Sequence, residues 1–326
     1  MPTDTHVRHA VVMGAGMAGL AAARVLADSF EAVTVIERDT LPSASAPRAG
    51  VPQGHHVHGL LALGAEVFEG YFPGLRAEPE QAGAPVWDWG EGLCAVLPNG
   101  IPPSTPMGMP IQTFSRPLLE HVLRQRVTAL GPVTLRDGLT VTGLRTAAPG
   151  KITGVRVRDG DGEDNALHVT LHGANGTQLP HNDDDFLSFA KSLRGPVADT
   201  IASLTPTSAV RRYARTVNRR IAYHRLARWP EGLIALGDSV CTFNPAYGQG
   251  MTVAALEARL LEQMLGNRRA GTPLDGQAFQ KAAGPRHRLL MADGNHPRPG
   301  LGAVAALLAR QGRQLVHEPP DRHRPP

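Results

Sequence analysis

A glycine run set between two apolar segments near the start constrains this chain most. Ala10-Val11-Val12-Met13 reads as a short strand, and Gly14-Ala15-Gly16-Met17-Ala18-Gly19 follows at once. Leu20 to Ala27 has the Ala- and Leu-rich pattern of a helix, and Ala32 to Ile36 reads as a second strand ending at Glu37. Strand, glycine turn, helix, strand and acid make up a complete βαβ unit with the layout of a dinucleotide-binding turn. Gly14 permits the tight turn. Gly16 lets the backbone approach a pyrophosphate at a helix N-terminus, where partial positive charge favours an anion. Gly19 lets helix and strand pack closely. Glu37 is an acceptor for the adenosine ribose. Ala15, Met17, Ala18 and Arg38 complete the expected cofactor-binding set at this end.

Composition narrows the class. The chain has 326 residues, 42% hydrophobic and 19% charged, which excludes a disordered chain and suits one large or two medium domains. Its formal charge of +4 is too near neutral to imply nucleic acid. The arginine-rich stretch from Arg211 to Arg228 has no interleaved aromatic platform, so no nucleic-acid partner is expected. Cys94 and Cys241 stand far apart, and the loop histidines His55, His56 and His58 have no nearby acid; no metal site is expected. Arg8 and His9 before an apolar stretch resemble a signal peptide, but the glycine pattern explains that stretch better. No apolar run reaches the roughly 20 residues of a membrane helix, and a cytoplasmic protein with no membrane partner is expected.

The glycine motif alone does not separate NAD from FAD. A second motif does. Gly232-Leu-Ile-Ala-Leu reads as a buried strand running into Gly237-Asp238-Ser239, followed by Asn244-Pro245-Ala246-Tyr247-Gly248-Gln249-Gly250-Met251 and a helix. With both motifs in order, the sequence resembles the FAD-dependent monooxygenases of the p-hydroxybenzoate hydroxylase type, closest to the bacterial epoxidase and hydroxylase group that includes polyether epoxidases. The resemblance implies that Asp238 binds the ribityl chain of FAD. It implies that Pro245, Gly248, Gln249, Gly250 and Met251 lie beside the isoalloxazine ring, where a helix N-terminus would stabilise a reduced, anionic flavin. The segment containing Arg48 and Gln53 resembles the group's loop after the second strand. Arg116, with Leu119-Glu120, matches an Arg-x-x-Leu-Glu helix whose arginine reaches the FAD phosphate and ribityl region.

The expected fold class is α/β: a Rossmann-like, doubly wound FAD/NAD(P)-binding domain with a reduced β-rich substrate domain. The expected boundaries are 1–72, 111–160 and 230–290 for the discontinuous FAD domain, 73–110 and 161–229 for the substrate layer, and 291–326 for a C-terminal extension, disordered from His317. The expected function is FAD-dependent oxygenation of a small alkene or aromatic substrate through a flavin C4a-hydroperoxide, with NAD(P)H as transient reductant. No protein nucleophile is required, because the flavin carries the chemistry.

The sequence also departs from the resemblance. Nothing matches the Asp-Gly-type motif expected after the strand Ile152 to Arg158; polar Asp159 to Asn165 stands there, and middle strands of the substrate sheet are missing. A thin roof admits water to the flavin, and open strand edges favour a homo-oligomer. A degenerate flavin-binding protein without turnover, or a partner subunit, is therefore the alternative. A flavin-dependent halogenase is a third reading: Trp87-Asp88-Trp89 matches part of its motif, but Gly90-Glu91-Gly92 follows and no lysine precedes Lys151.

Overall fold

The computed structural model describes residues 9–55, 57–92, 103–148, 151–159, 170–171, 182–192, 218–243, 248–267, 274–295 and 306–307. The expected βαβ unit is formed by β1 (His9–Met13), α1 (Met17–Ala27) and β2 (Ala32–Ile36). β1 and β2 are parallel, with His9 opposite Ala32 and Met13 opposite Ile36. β3 (Val57–Leu60), α2 (Ala62–Tyr71), α3 (Ala77–Gln81), β4 (Val86–Asp88), α4 (Trp89–Gly92) and β5 (Pro110–Ser115) follow. Next come α5 (Arg116–Thr128), β6 (Val133–Arg136), β7 (Leu139–Ala148) and β8 (Lys151–Asp159). Further on lie α6 (Asp183–Ser192) and the two long helices α7 (Gln249–Gly266) and α8 (Gly276–Asn295).

Three layers organise these elements. β1, β2 and β6 form a parallel sheet in that order. α1 lies between this sheet and α7, and small residues on its buried face, Gly19 and Ala21 to Ala23, let it pack closely, with Ala21 and Ala23 fully enclosed. α5 begins after Ser115, whose side chain accepts a hydrogen bond from Leu118 N–H at 3.3 Å, with Pro117 in the first turn. The second layer is the antiparallel sheet β3-β5-β4. The third is the β7–β8 hairpin, tied to the later chain by Ile152 N–H donating to the Glu231 carbonyl at 3.1 Å.

The residue pattern alone predicts a helix over Gly59–Phe68, a buried strand over Gly232–Leu236 and no clear element beyond Gly266, and the structure differs at each. The helix expected over Gly59–Phe68 is a strand followed by a helix: β3 pairs with β5, and a Cβ at Gly59 would stand 2.7 Å from Ile111 Cδ1. The buried strand expected at Gly232–Leu236 takes no ladder partner among the described residues, and Leu233 to Leu236 are only half-buried. A second long helix, α8, occupies 276–295, where Gly284 and Pro285 interrupt the apolar pattern. The tail from His317 lies outside the described residues, as does the first part of the arginine-rich stretch, 211–217.

The close packing inside the glycine turn is steric. A Cβ at Gly19 would overlap the Gly14 carbonyl oxygen and crowd Val12. Gly19→Ala is therefore expected to cost about 1–3 kcal/mol of stability. Gly70→Ala, on the exposed side of α2 with open space around it, should instead stabilise by about 0.5–1 kcal/mol. Urea unfolding of the two variants checks this; equal midpoints would contradict the close approach.

Candidate functional site

One large cavity of about 1520 Å³ opens between the glycine turn, the β3-β5-β4 sheet, the hairpin and the 232–243 segment. It exceeds the roughly 300–1,000 Å³ usual for ligand sites. Gly14, Gly16, Met17, Ala18, Gly19, Glu37, Arg38, Arg48, Gln53, Arg116, Asp238, Gly248, Gln249, Gly250 and Met251 all line it. The structure thus brings together the sequence-predicted residues, with two exceptions. Ala15 is fully buried behind the wall and contributes its N–H to Glu37. Pro245 lies outside the described residues.

At one end, Gly14 sits at φ 101 and Gly16 caps α1 with no side-chain partner, leaving the first helical N–H groups facing the cavity. A Cβ at Gly16 would meet only Arg116 Nη2, at 3.9 Å. The space above the turn is open, and the tip of Arg116 stands beside it. Glu37, 4% exposed, locks the turn: Oε2 accepts from Ala15 N–H at 2.7 Å, and Oε1 accepts from Arg38 N–H at 2.8 Å and Asp39 N–H at 3.1 Å.

A buried charge network runs on from Glu37. Arg48 Nη1 lies 3.0 Å from Glu37 Oε1 and 2.7 Å from Asp39 Oδ2, and Arg48 Nε donates to Glu120 Oε1 at 2.6 Å. Arg116 Nε reaches the other Glu120 oxygen at 3.4 Å. Burial works against the Arg48 cation, but Glu120, Glu37 and Asp39 outweigh it and hold its pKa above the ordinary value. Burial lowers that of Arg116, with Glu120 and Asp238 opposing. Arg48 is thus a structural cation with its donors largely committed, while Arg116 keeps its tip for the cavity. Glu120 and Asp39, the joints of this network, were not expected as site residues. The Arg-x-x-Leu-Glu pattern carried Glu120 with Arg116 one turn before it, but only the fold shows Arg48 as its second arginine partner.

Beside the start of α1, Gly237 (φ 62) opens a short turn, Gly237–Ser239, that carries Asp238. Asp238 is accessible through the cavity, yet the surrounding protein raises its pKa, with Arg116 opposing. Gly248 at φ 64 caps α7, and Gln249 Oε1 is buried with no hydrogen-bond partner among the described residues, an acceptor left for a ligand donor. Apolar and aromatic side chains also line the cavity, among them Trp87, Trp89, Ile111, Phe243 and Trp229. Trp87 Nε1 donates to Thr113 Oγ1 at 3.1 Å, which fixes that ring. Burial pushes the Cys241 thiol up to about 12, so it is no nucleophile. No cluster of metal-ligating side chains occurs among the described residues, and no helix among them is long and apolar enough to cross a membrane.

The site's chemistry is that of a dinucleotide cradle. It offers an open glycine turn at a helix N-terminus, an arginine tip beside it, a cavity-facing carboxylate, a second helix N-terminus and an unpartnered acceptor. These features fit a dinucleotide such as FAD.

No family model matches the chain. Protein Rv3254 of Mycobacterium tuberculosis is 29% identical over 345 residues, covering 79% of this chain and 73% of that protein. That match is longer than the 326 residues of this chain, so the relative carries internal sequence that this chain lacks. PqsL from Pseudomonas aeruginosa, a probable FAD-dependent monooxygenase, superposes with TM-score 0.59 at 15% identity, covering 88% of this chain and 94% of PqsL. The tetrameric form of 2-methyl-3-hydroxypyridine-5-carboxylic acid oxygenase gives TM-score 0.55 at 19% identity, with 87% and 88% covered. The flavin-dependent brominase Bmp2 gives 0.57 at 14%, with 86% and 84% covered. These likenesses establish the fold: a Rossmann-like flavoprotein-oxygenase fold with a second, β-rich layer.

The network predicts a large penalty for removing its centre. Arg48→Met leaves Glu37, Asp39 and Glu120 buried without their shared cation and should cost about 3–5 kcal/mol. Chemical denaturation at neutral pH measures this; a loss below about 1 kcal/mol would show that the three carboxylates do not depend on Arg48.

Proposed function

We propose that this chain is an FAD-dependent monooxygenase acting on a small, apolar alkene or aromatic substrate, with NAD(P)H as the transient reductant. The observation that carries the reading is the convergence of Gly16, Arg116 and Asp238 on one cavity, the two predicted cofactor motifs facing a single space. Bound flavin would supply the activation of dioxygen. The chain's own residues do the rest. The first turn of α1 and Arg116 would hold the pyrophosphate, Glu37 Oε2, which has a single protein donor among the described residues, would accept from the ribose, and Asp238 would accept from the ribityl chain. The Gly248–Met251 helix start and Gln249 Oε1 would hold the ring. Trp87, Trp89 and Ile111 form the apolar wall against which a substrate would lie. The neighbours support this direction: PqsL has been crystallised with 2-aminobenzoylacetate, and the pyridine oxygenase is named for an aromatic acid. A homo-oligomer is part of the proposal, since the pyridine oxygenase has a tetrameric form.

One observation favours the alternative, a flavin-binding protein without turnover or a partner subunit. Both β1 and the Leu233–Leu236 segment line the cavity, and neither shares a ladder with the other among the described residues, so that flank of the site is wide. A water-filled flank works against oxygen transfer. NADPH oxidation with added FAD, with and without candidate alkenes and aromatics, separates the two; substrate-dependent turnover excludes the alternative. The halogenase reading has the brominase fold behind it but no lysine on the cavity wall among the described residues.

Asp238 supplies the test of the cofactor assignment. Asp238→Ala should keep native-like circular dichroism while FAD affinity falls about 30-fold, roughly 2 kcal/mol, because a charged acceptor is lost in a partly dry cleft. The pH dependence follows from the raised pKa of Asp238. The carboxylate protonates at a higher pH than the ordinary 3.8, so affinity should decline on acidification starting above that value. Asp238→Asn should remove that dependence. Flavin retention through gel filtration, repeated across pH, measures both; full retention by Asp238→Ala would overturn the flavin role of the turn.

A further inference from the structure

We infer that Glu257 and His287 form a buried positioning pair that sets the turn carrying Asp238, an inference that rests on the flavin reading above. The starting point is where the backbone bonds of the unpaired 233–237 segment go. Without a ladder, a segment beside a cavity leaves its polar groups unsatisfied. Here side chains take the ladder's place. Trp229 Nε1 donates to the Leu233 carbonyl at 2.8 Å, and Gln280 Nε2 donates to the Ala235 carbonyl at 2.5 Å. At the end of the segment, Gly237 N–H donates to Glu257 Oε2 at 2.6 Å.

Glu257 stands on α7, 3% exposed, and its other oxygen accepts from His287 Nε2 at 2.7 Å; His287, on α8, is 1% exposed. A carboxylate this buried is costly unless donors surround it. Its donors are the turn on one side and the second helix on the other. Neither residue lines the cavity, so both act through Gly237. The turn has no slack on its opposite side, because a Cβ at Gly237 would come within 2.6 Å of the Ala18 side chain at the start of α1. Gly237 is thus held between α1 and Glu257, in a left-handed conformation, one residue before Asp238. An apolar residue at 257 would fill the same core volume but leave the Gly237 N–H without its acceptor.

The test compares Glu257→Gln with Phe279→Leu, a core change on the same helix as His287, in two measurements. In the flavin-free protein, amide exchange at Gly237 should quicken about tenfold in Glu257→Gln and stay within about twofold of the wild type in Phe279→Leu. In FAD titrations, Glu257→Gln should bind about tenfold more weakly, with Phe279→Leu nearly unchanged. His287→Gln, which keeps a donor toward Glu257, should retain affinity, and His287→Leu should lose it. If Glu257→Gln does not fold, Glu257→Asp, one methylene shorter, carries the same comparison. Unchanged exchange and unchanged affinity in the Glu257 variant would overturn the positioning role. Wild-type protein that fails to bind FAD would instead overturn the flavin reading, and the exchange measurement would still decide the role of Glu257.

Discussion

The hydrogen bond from Ala15 N–H to Glu37 Oε2 joins the glycine turn to the end of the second strand, and most of the site is built outward from it. Glu37 is buried and needs a cation; Arg48 supplies it and is shared with Asp39 and Glu120. Glu120 in turn holds Arg116, whose free end lies beside Gly16. Four segments remote in sequence are therefore oriented by one set of charge-assisted bonds. Such a set is expensive to bury and cannot be removed piecemeal. What it gains is geometry: an arginine aimed at the place where a helix N-terminus invites an anion.

The neighbouring wall, which packs against Ala18 at the start of α1, is built differently. The 233–237 segment has no strand hydrogen-bonded to it among the described residues, and side chains from α7, α8 and Trp229 hold it instead. The result is a wide cavity with a polar end at the glycine turn and an aromatic end at Trp87 and Trp89. Binding a cofactor asks only for the polar end and the Asp238 turn. Oxygen transfer asks also for dryness around the ring. That difference separates a working oxygenase from a flavin carrier, and it lies in the wide flank rather than in any missing catalytic side chain.

Much of the cradle was legible in the sequence because its parts are local. A glycine turn between two strands, an acid after the second, and a glycine-flanked helix start each occupy a few adjacent residues whose roles follow from backbone geometry. The charge network was only partly legible: Arg116 and Glu120 stand one helical turn apart on α5, but Arg48 joins them only when the β3-β5 pairing brings the loop and α5 together. The segment at Leu233 has the composition of a buried strand but no ladder partner among the described residues; composition reports burial potential, not whether a neighbouring strand exists to pair with. The helix over 276–295 was hidden by Gly284 and Pro285, where tertiary packing of Phe279 and Ala283 overrides weak local propensity. Glu257 and His287 looked like ordinary polar residues of α7 and its neighbour until their common oxygen-to-nitrogen contact placed them beneath Gly237.

The central claim is that the glycine turn and the Asp238 turn are two ends of one flavin dinucleotide site. Parallel titration of the protein with FAD, FMN and NAD tests it most directly. Only FAD presents both an adenosine pyrophosphate for the Gly14–Gly19 turn and a ribityl chain for Asp238, so it should bind far more tightly than either of the others. FMN binding as tightly as FAD, or NAD binding more tightly, would contradict a single site spanning both turns.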